Sequence, residues 1–156
     1  MQIWVARHGE AVDPDQCATD FDRALTDRGR RQVGELARWL ATRTVLPELI
    51  WHSPLIRAGQ TAQAFAAEWP AEIPVEQTSV MAPGMRCERL LEAVRSRAVE
   101  RILCVGHQPD VGECVFQACG GRVAYSPGAV ACLEFGELLL PRAGRLKWLT
   151  DPDWFG

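Results

Sequence analysis

The chain has 156 residues, 47% hydrophobic and 24% charged, with a net charge of −3. That size favours one domain over residues 1–156, burying roughly 70% of the surface its unfolded form exposes and needing neither disulfides nor metal to fold. The charge argues against a broad nucleic-acid-binding surface, and no apolar stretch is long enough to span a bilayer.

Residues 2–6 (QIWVA) form a first predicted strand that stops abruptly at Arg7-His8-Gly9-Glu10. A strand this close to residue 1 leaves no room for the basic and apolar regions of a secretory signal, so a cytoplasmic protein is expected. Residues 27–42 carry Val33, Leu36, Ala37 and Leu40 at helical spacing, with Thr26 as N-cap. Residues 48–52 (ELIWH) make a short second strand. Ser53-Pro54 then reads as N-cap and first position of a helix that runs through Ala58, Ala62 and Phe65 to about Trp69. A short strand at 73–76 is placed near a sheet edge by its flanking prolines.

A helix is predicted at about 86–97, with Leu90, Leu91 and Val94 on one face and Glu88 and Glu92 solvated on the other. Residues 101–105 (RILCV) are continuously apolar, as in a strand buried on both faces, and a helix comes next at 109–118. The last strands, 129–135 and 145–149, have no helix between them and should pair antiparallel, before a surface-docked tail, TDPDWFG. Trp4, Trp51 and Trp148 fall in strands and are expected in the core. The alternation gives a three-layer α/β/α sandwich, its sheet mostly parallel with an antiparallel C-terminal strand. Cys17, Cys87, Cys104, Cys114, Cys119 and Cys132 show no CxxC pair and no zinc-ligand spacing, and read as free thiols.

In open α/β sheets ligands bind beyond the carboxyl ends of the strands. Three such ends carry chemistry here: Arg7-His8-Gly9, then Ser53 with Arg57 one turn into its helix, then Gly106-His107. Glycine beside each histidine would allow close backbone approach to a ligand. Arginine matches phosphate oxygens with a planar fork of donors, and a helix N-terminus adds partial positive charge. Neutral imidazole can attack phosphorus to give a phosphohistidine intermediate, and neighbouring guanidinium groups keep an imidazole neutral. The sequence has no Walker A loop, dinucleotide loop or acidic cluster for magnesium, so phosphoryl transfer without metal or cofactor is expected. His52 is read as structural, supporting the site without touching phosphate.

The set "ARHGEA", "RALTDRG", "SPLIRAGQTA" and "CVGHQPDVG" resembles the signature of the histidine phosphatase superfamily, with the phosphoglycerate-mutase-like fold. The resemblance runs from Gln2 to about Trp148 and implies roles for single residues. His8 would be the nucleophile, attacking through its distal ring nitrogen while a backbone carbonyl holds the other. Arg7 and Arg57 would clamp the phosphoryl oxygens, His107 would donate to them, and Arg23 would lie near the phosphate. Gly9, Ser53 and Glu10 complete the expected substrate-binding set. Glu10 could serve as general acid or could instead hold an arginine or a backbone N–H.

Larger members of that family insert a covering segment with an acidic residue after the third strand. Here only residues 77–85 stand there, so the chain is similar to the compact SixA-type phosphohistidine phosphatases rather than to the mutases. Imidazole is a better leaving group than an alkoxide, so protein phosphohistidine is the expected substrate. By family analogy the phosphorylated partner would be a histidine phosphotransfer domain or a phosphocarrier, and a monomer is the default. The alternatives are a phosphomonoesterase on sugar or nucleotide phosphates and a phosphate-binding protein without turnover.

Overall fold

The apolar run at the start becomes strand β1 (Gln2–Arg7), its four central residues fully buried. The computed structural model describes every residue except Ala71 and Gly156. In chain order there follow α1 (Asp27–Ala41), β2 (Leu49–His52), α2 (Ile56–Glu68), β3 (Val75–Gln77), α3 (Cys87–Arg95), β4 (Arg101–Gly106), α4 (Asp110–Cys119), β5 (Val130–Phe135) and β6 (Gly144–Thr150). The strands form one sheet in the order β3-β2-β4-β1-β5-β6. The first four strands pair in parallel, β5 runs antiparallel to β1, and β6 antiparallel to β5. The strand flanked by prolines lies at the edge, and the continuously apolar β4 lies inside.

Side chains of β1 alternate between two cores, which makes the three-layer α/β/α sandwich expected from the sequence. Ile3 and Val5 face α3 and α4 through Leu90, Leu91, Val111 and Val115. Trp4 and Ala6 face α1 and α2 through Val33, Leu36, Ala62 and Phe65. Trp4 meets Trp69 and Trp148 edge-on, with ring centroids 6.2 and 4.8 Å away. The six cysteines are free, four of them buried. No helix among the described residues is long and apolar enough to cross a membrane.

Most boundaries shift by one to three residues from the sequence reading. Thr26 caps α1 as expected, its Oγ1 accepting from the Gly29 N–H at 2.9 Å. Ser53 does not cap α2. Its N–H still donates to the Val105 carbonyl at 3.1 Å, so it belongs to the end of the sheet, and the helix begins at Ile56 with Leu55 at the cap position. Arg57 therefore sits at the second helical position rather than a turn in. The edge strand lies at 75–77 rather than 73–76. The tail, described as far as Phe155, turns back onto α1, where Gln32 Nε2 donates to Asp153 Oδ1 at 3.2 Å.

Candidate active site

Sheet register assembles the site. Arg7 lies opposite Gly106 in the β1–β4 ladder, and His52 opposite Val105 in the β2–β4 ladder. The next residues along, His8, Ser53 and His107, consequently emerge side by side where the strands end. His8 N–H donates to the Gly106 carbonyl at 3.0 Å, and the two histidine rings lie 5.2 Å apart between centroids. This is the carboxyl edge of the sheet, where βα loops can face a ligand.

His8 is held in one tautomer. Its Nδ1 lies 2.8 Å from the Gly9 carbonyl, which can only accept, so Nδ1 carries the proton. Nε2 then has the free lone pair, and Arg57 Nε donates to it at 3.2 Å. Arg57 is 5% exposed and reaches this position from the start of α2. Thr61, one turn on, ties its backbone to the histidine loop: the hydroxyl donates to the Arg57 carbonyl at 2.7 Å and accepts from Gly9 N–H at 3.0 Å. Arg7 approaches from the other side, Nη1 donating to the Tyr125 carbonyl at 2.9 Å. Its Nε is buried with no partner among the described residues.

Ser53 is fully buried, and its Oγ lies 2.7 Å from His107 Nε2. Leu55 N–H donates to that oxygen at 3.3 Å, and a hydroxyl that in turn donates to His107 Nε2 uses both its proton and a lone pair. Neutral His107 then carries its own proton on Nδ1, a buried atom without a partner among the described residues. Two donors at the site, Arg7 Nε and His107 Nδ1, are thus left unspent.

Both histidines are neutral at pH 7. Burial pushes His8 down to about 3 against the pull of the Gly9 carbonyl, and Arg57, His107 and Arg7 lower it further. Burial and Arg57 push His107 down to about 4, opposed by Asp110 and Asp20. An unfolded histidine titrates at ~6.5. Protonation therefore favours the unfolded chain: the contribution to stability is complete above that value and is lost as pH falls toward the folded values. Urea unfolding is expected to show a decline from pH 7 to pH 5 of up to ~2 kcal/mol per histidine. A His8→Asn, His107→Asn double variant should show a shallower decline; an unchanged slope would contradict the neutral-histidine assignment.

Arg23 reaches the site through a carboxylate. Its Nε donates to the Val12 carbonyl at 2.8 Å and its Nη1 to Asp20 Oδ1 at 3.0 Å. Asp20 Oδ2 and its main-chain oxygen accept from Arg57 at 2.9 and 2.6 Å, so Arg23 and Arg57 meet on one carboxylate. Together these arginines hold Asp20 below the usual carboxylate range. Glu10 turns away to the start of α1, accepting from Thr26 Oγ1 at 2.7 Å and Arg28 Nη1 at 2.8 Å. The positions that a side chain would take at Gly9 and Gly106 are filled by the protein itself. A Cβ at Gly9 would lie 2.9 Å from Val33, and one at Gly106 would lie 3.0 Å from Met81, so both glycines admit packing of the protein on itself. His52 donates from Nδ1 to the Ser53 carbonyl at 2.8 Å, a supporting contact.

Four contributors are not singled out in the sequence: Asp20, Thr61, which lies within "SPLIRAGQTA", Tyr125 and Gly128. Gly128 has φ of 86° and donates its N–H to the Arg7 and His8 carbonyls at 3.2 and 3.0 Å. A side chain there would be strained and would meet Pro152 at 3.0 Å. "GQTA" and the glycine before Ala129 are visible in the sequence, but nothing local connects them to His8.

Residues 3–80 match the profile of the histidine phosphatase superfamily, branch 1. The chain is 35% identical over 162 aligned positions to an uncharacterised protein of Picosynechococcus sp., covering 99% of this chain and 98% of that one. It is 28% identical to the phosphohistidine phosphatase SixA of Escherichia coli, covering 97% and 94% of the two chains. The solved structure of the protein histidine phosphatase SixA complexed with tungstate superposes with a TM-score of 0.87 at 26% identity, covering 100% of both chains.

Proposed function

Because the chain belongs to branch 1 of the histidine phosphatase superfamily, we propose that it is a phosphatase acting on protein phosphohistidine through a covalent intermediate on His8. The observation that carries this reading is the His8 ring. It is neutral, fixed by Gly9, and presents an unprotonated Nε2 beside the Arg57 guanidinium. In the first step Nε2 forms a bond to phosphorus as the phosphorus–nitrogen bond of the substrate breaks. The departing imidazole takes a proton from water. In the second step water attacks phosphorus, the bond to Nε2 breaks, and phosphate leaves.

Arg7, Arg57 and Arg23 would neutralise charge on the transferring group, and His107 would donate from Nδ1. The solved structure of SixA is a complex with tungstate, a tetrahedral anion like phosphate, which supports an oxyanion as ligand. The choice of phosphohistidine is supported by the segment after β3. Only residues 78–86 separate β3 from α3, and Met81 within them is fully buried against Gly106.

Initial rates on a phosphohistidine-bearing protein and on sugar, nucleotide and p-nitrophenyl phosphates test the proposal. The phosphohistidine substrate is expected to give the highest kcat/KM, by about 10²-fold or more, since an imidazole leaves without a dedicated acid. Faster release from phosphomonoesters would assign the site to small esters. Oxyanion binding with no release from any substrate would make it a binding protein.

A further inference from the structure

The arginines expected to hold a phosphoryl group are already engaged by an anion, the carboxylate of Asp20. Arg57 uses Nε on His8, Nη1 on the Asp20 main-chain oxygen and Nη2 on Asp20 Oδ2. Arg23 gives Nη1 to the other oxygen of the same carboxylate. A phosphoryl group bonded to His8 Nε2 would lie next to Arg57 Nε and would compete with Oδ2 for Nη2, the neighbouring donor of the fork. Asp20 opens a short 3-10 turn, Asp20–Asp22, in the loop between β1 and α1. Its side chain is 60% exposed while that of Arg57 is 6% exposed. The carboxylate can therefore withdraw into water, where it is fully solvated, whereas the buried arginine stays in place.

We propose that Asp20 is a resident counter-anion of the phosphoryl clamp, which substrate displaces and which weakens the hold on free phosphate. The inference rests on the phosphoryl-site reading above. A phosphoryl dianion carries more charge than one carboxylate and reaches donors that Asp20 leaves unspent, Arg7 Nε and His107 Nδ1. It can win the exchange. The return of Asp20 to Arg57 and Arg23 then opposes rebinding of the product. The main-chain contact to Nη1 does not depend on the side chain and keeps the Arg57 plane in place when the carboxylate is neutralised. Asp20 is on this reading a specificity-determining residue and takes no part in bond making.

Isothermal titration of inorganic phosphate and of tungstate, at fixed ionic strength, into wild type, Asp20→Asn and Asp22→Asn tests this. Asp22 serves as the control because its carboxylate accepts from Thr19 Oγ1 within the same turn. Asp20→Asn is expected to bind both anions about 10-fold tighter, with a parallel fall in the phosphate inhibition constant during turnover. Asp22→Asn should match wild type, and Asp20→Glu should restore weak binding. Unchanged or weaker binding by Asp20→Asn overturns the inference while leaving the phosphoryl site standing. A selective loss of kcat in that variant, with anion affinity unchanged, would make Asp20 a proton-transfer group instead and also overturns it. Failure of every protein, wild type included, to bind either anion overturns the phosphoryl-site reading and the inference with it.

Discussion

Replacing His8 by alanine is expected to lower turnover of a phosphohistidine substrate by about 10⁴-fold or more, while oxyanion binding survives. On the proposed reading the attacking lone pair resides on one atom, His8 Nε2, which lies 3.2 Å from Arg57 Nε. His107, the neighbouring ring, has Nε2 committed to Ser53, so it does not present the same atom. Water would have to attack the substrate directly, without the oriented imidazole. The arginines would still neutralise charge and neutral His107 would still donate a hydrogen bond, which is why binding should persist. His8 is 8% exposed, so truncation to alanine leaves a void, and His8→Gln should accompany it to keep most of the volume. Both variants are to be checked for folding by circular dichroism and thermal unfolding. Turnover within about 10-fold of wild type in a folded variant would remove His8 from the chemistry.

Arg57→Lys is expected to reduce kcat/KM by about 10²–10³-fold, although it preserves the charge. Arg57 sends three different nitrogens to three different acceptors: His8 Nε2, the Asp20 main-chain oxygen and Asp20 Oδ2. A lysine ammonium is one compact centre and cannot span them. The position is nearly closed to water, so solvent cannot fill the missing contacts cheaply. Arg57 also lowers both histidines, after burial, so its loss touches nucleophile and clamp together. The effect should appear in kcat as well as KM, and phosphate affinity should fall with it. A few-fold change confined to KM would mean that Arg57 contributes charge but not geometry. Arg23→Lys serves as comparison. Arg23 is partly exposed and meets the phosphoryl region through one nitrogen, so its substitution should cost less.

The strand ends are legible in the sequence because an apolar run that halts at Arg7-His8, or at Gly106-His107, marks a change of environment along the chain itself. Sheet order and register then do the assembly, and no motif has to state that His8 and His107 lie 5.2 Å apart. Ser53 misleads because Ser-Pro before a helix is the ordinary sign of a cap. The competing claim on its hydroxyl comes from His107, a residue 54 positions away. The glycines beside the histidines suggest access for a ligand. The neighbours that fill their space, Val33 and Met81, belong to other elements and are invisible locally.

Asp20 escapes a sequence reading for the same reason. It sits in an acidic, aperiodic loop, DPDQCATDFDR, where any of four aspartates could face solvent. Only the arrival of Arg57, 37 positions later, selects one of them. Glu10 stands two residues from the histidine in sequence, yet Thr26 and Arg28 draw its carboxylate to α1. Proximity along the chain favours Glu10, and the folded site favours Asp20.

The central claim is that a phosphoryl group passes through His8. Rapid mixing of wild-type protein with a phosphohistidine substrate, quenched in alkali to preserve phosphorus–nitrogen bonds, tests it most directly. Phosphorus NMR and peptide mass spectrometry then locate the phosphoryl group. The expected result is one phosphoryl group on His8 Nε2, formed and discharged at rates no slower than steady-state turnover. Turnover with no adduct on the protein, or with the adduct on His107 or any other residue, would contradict it.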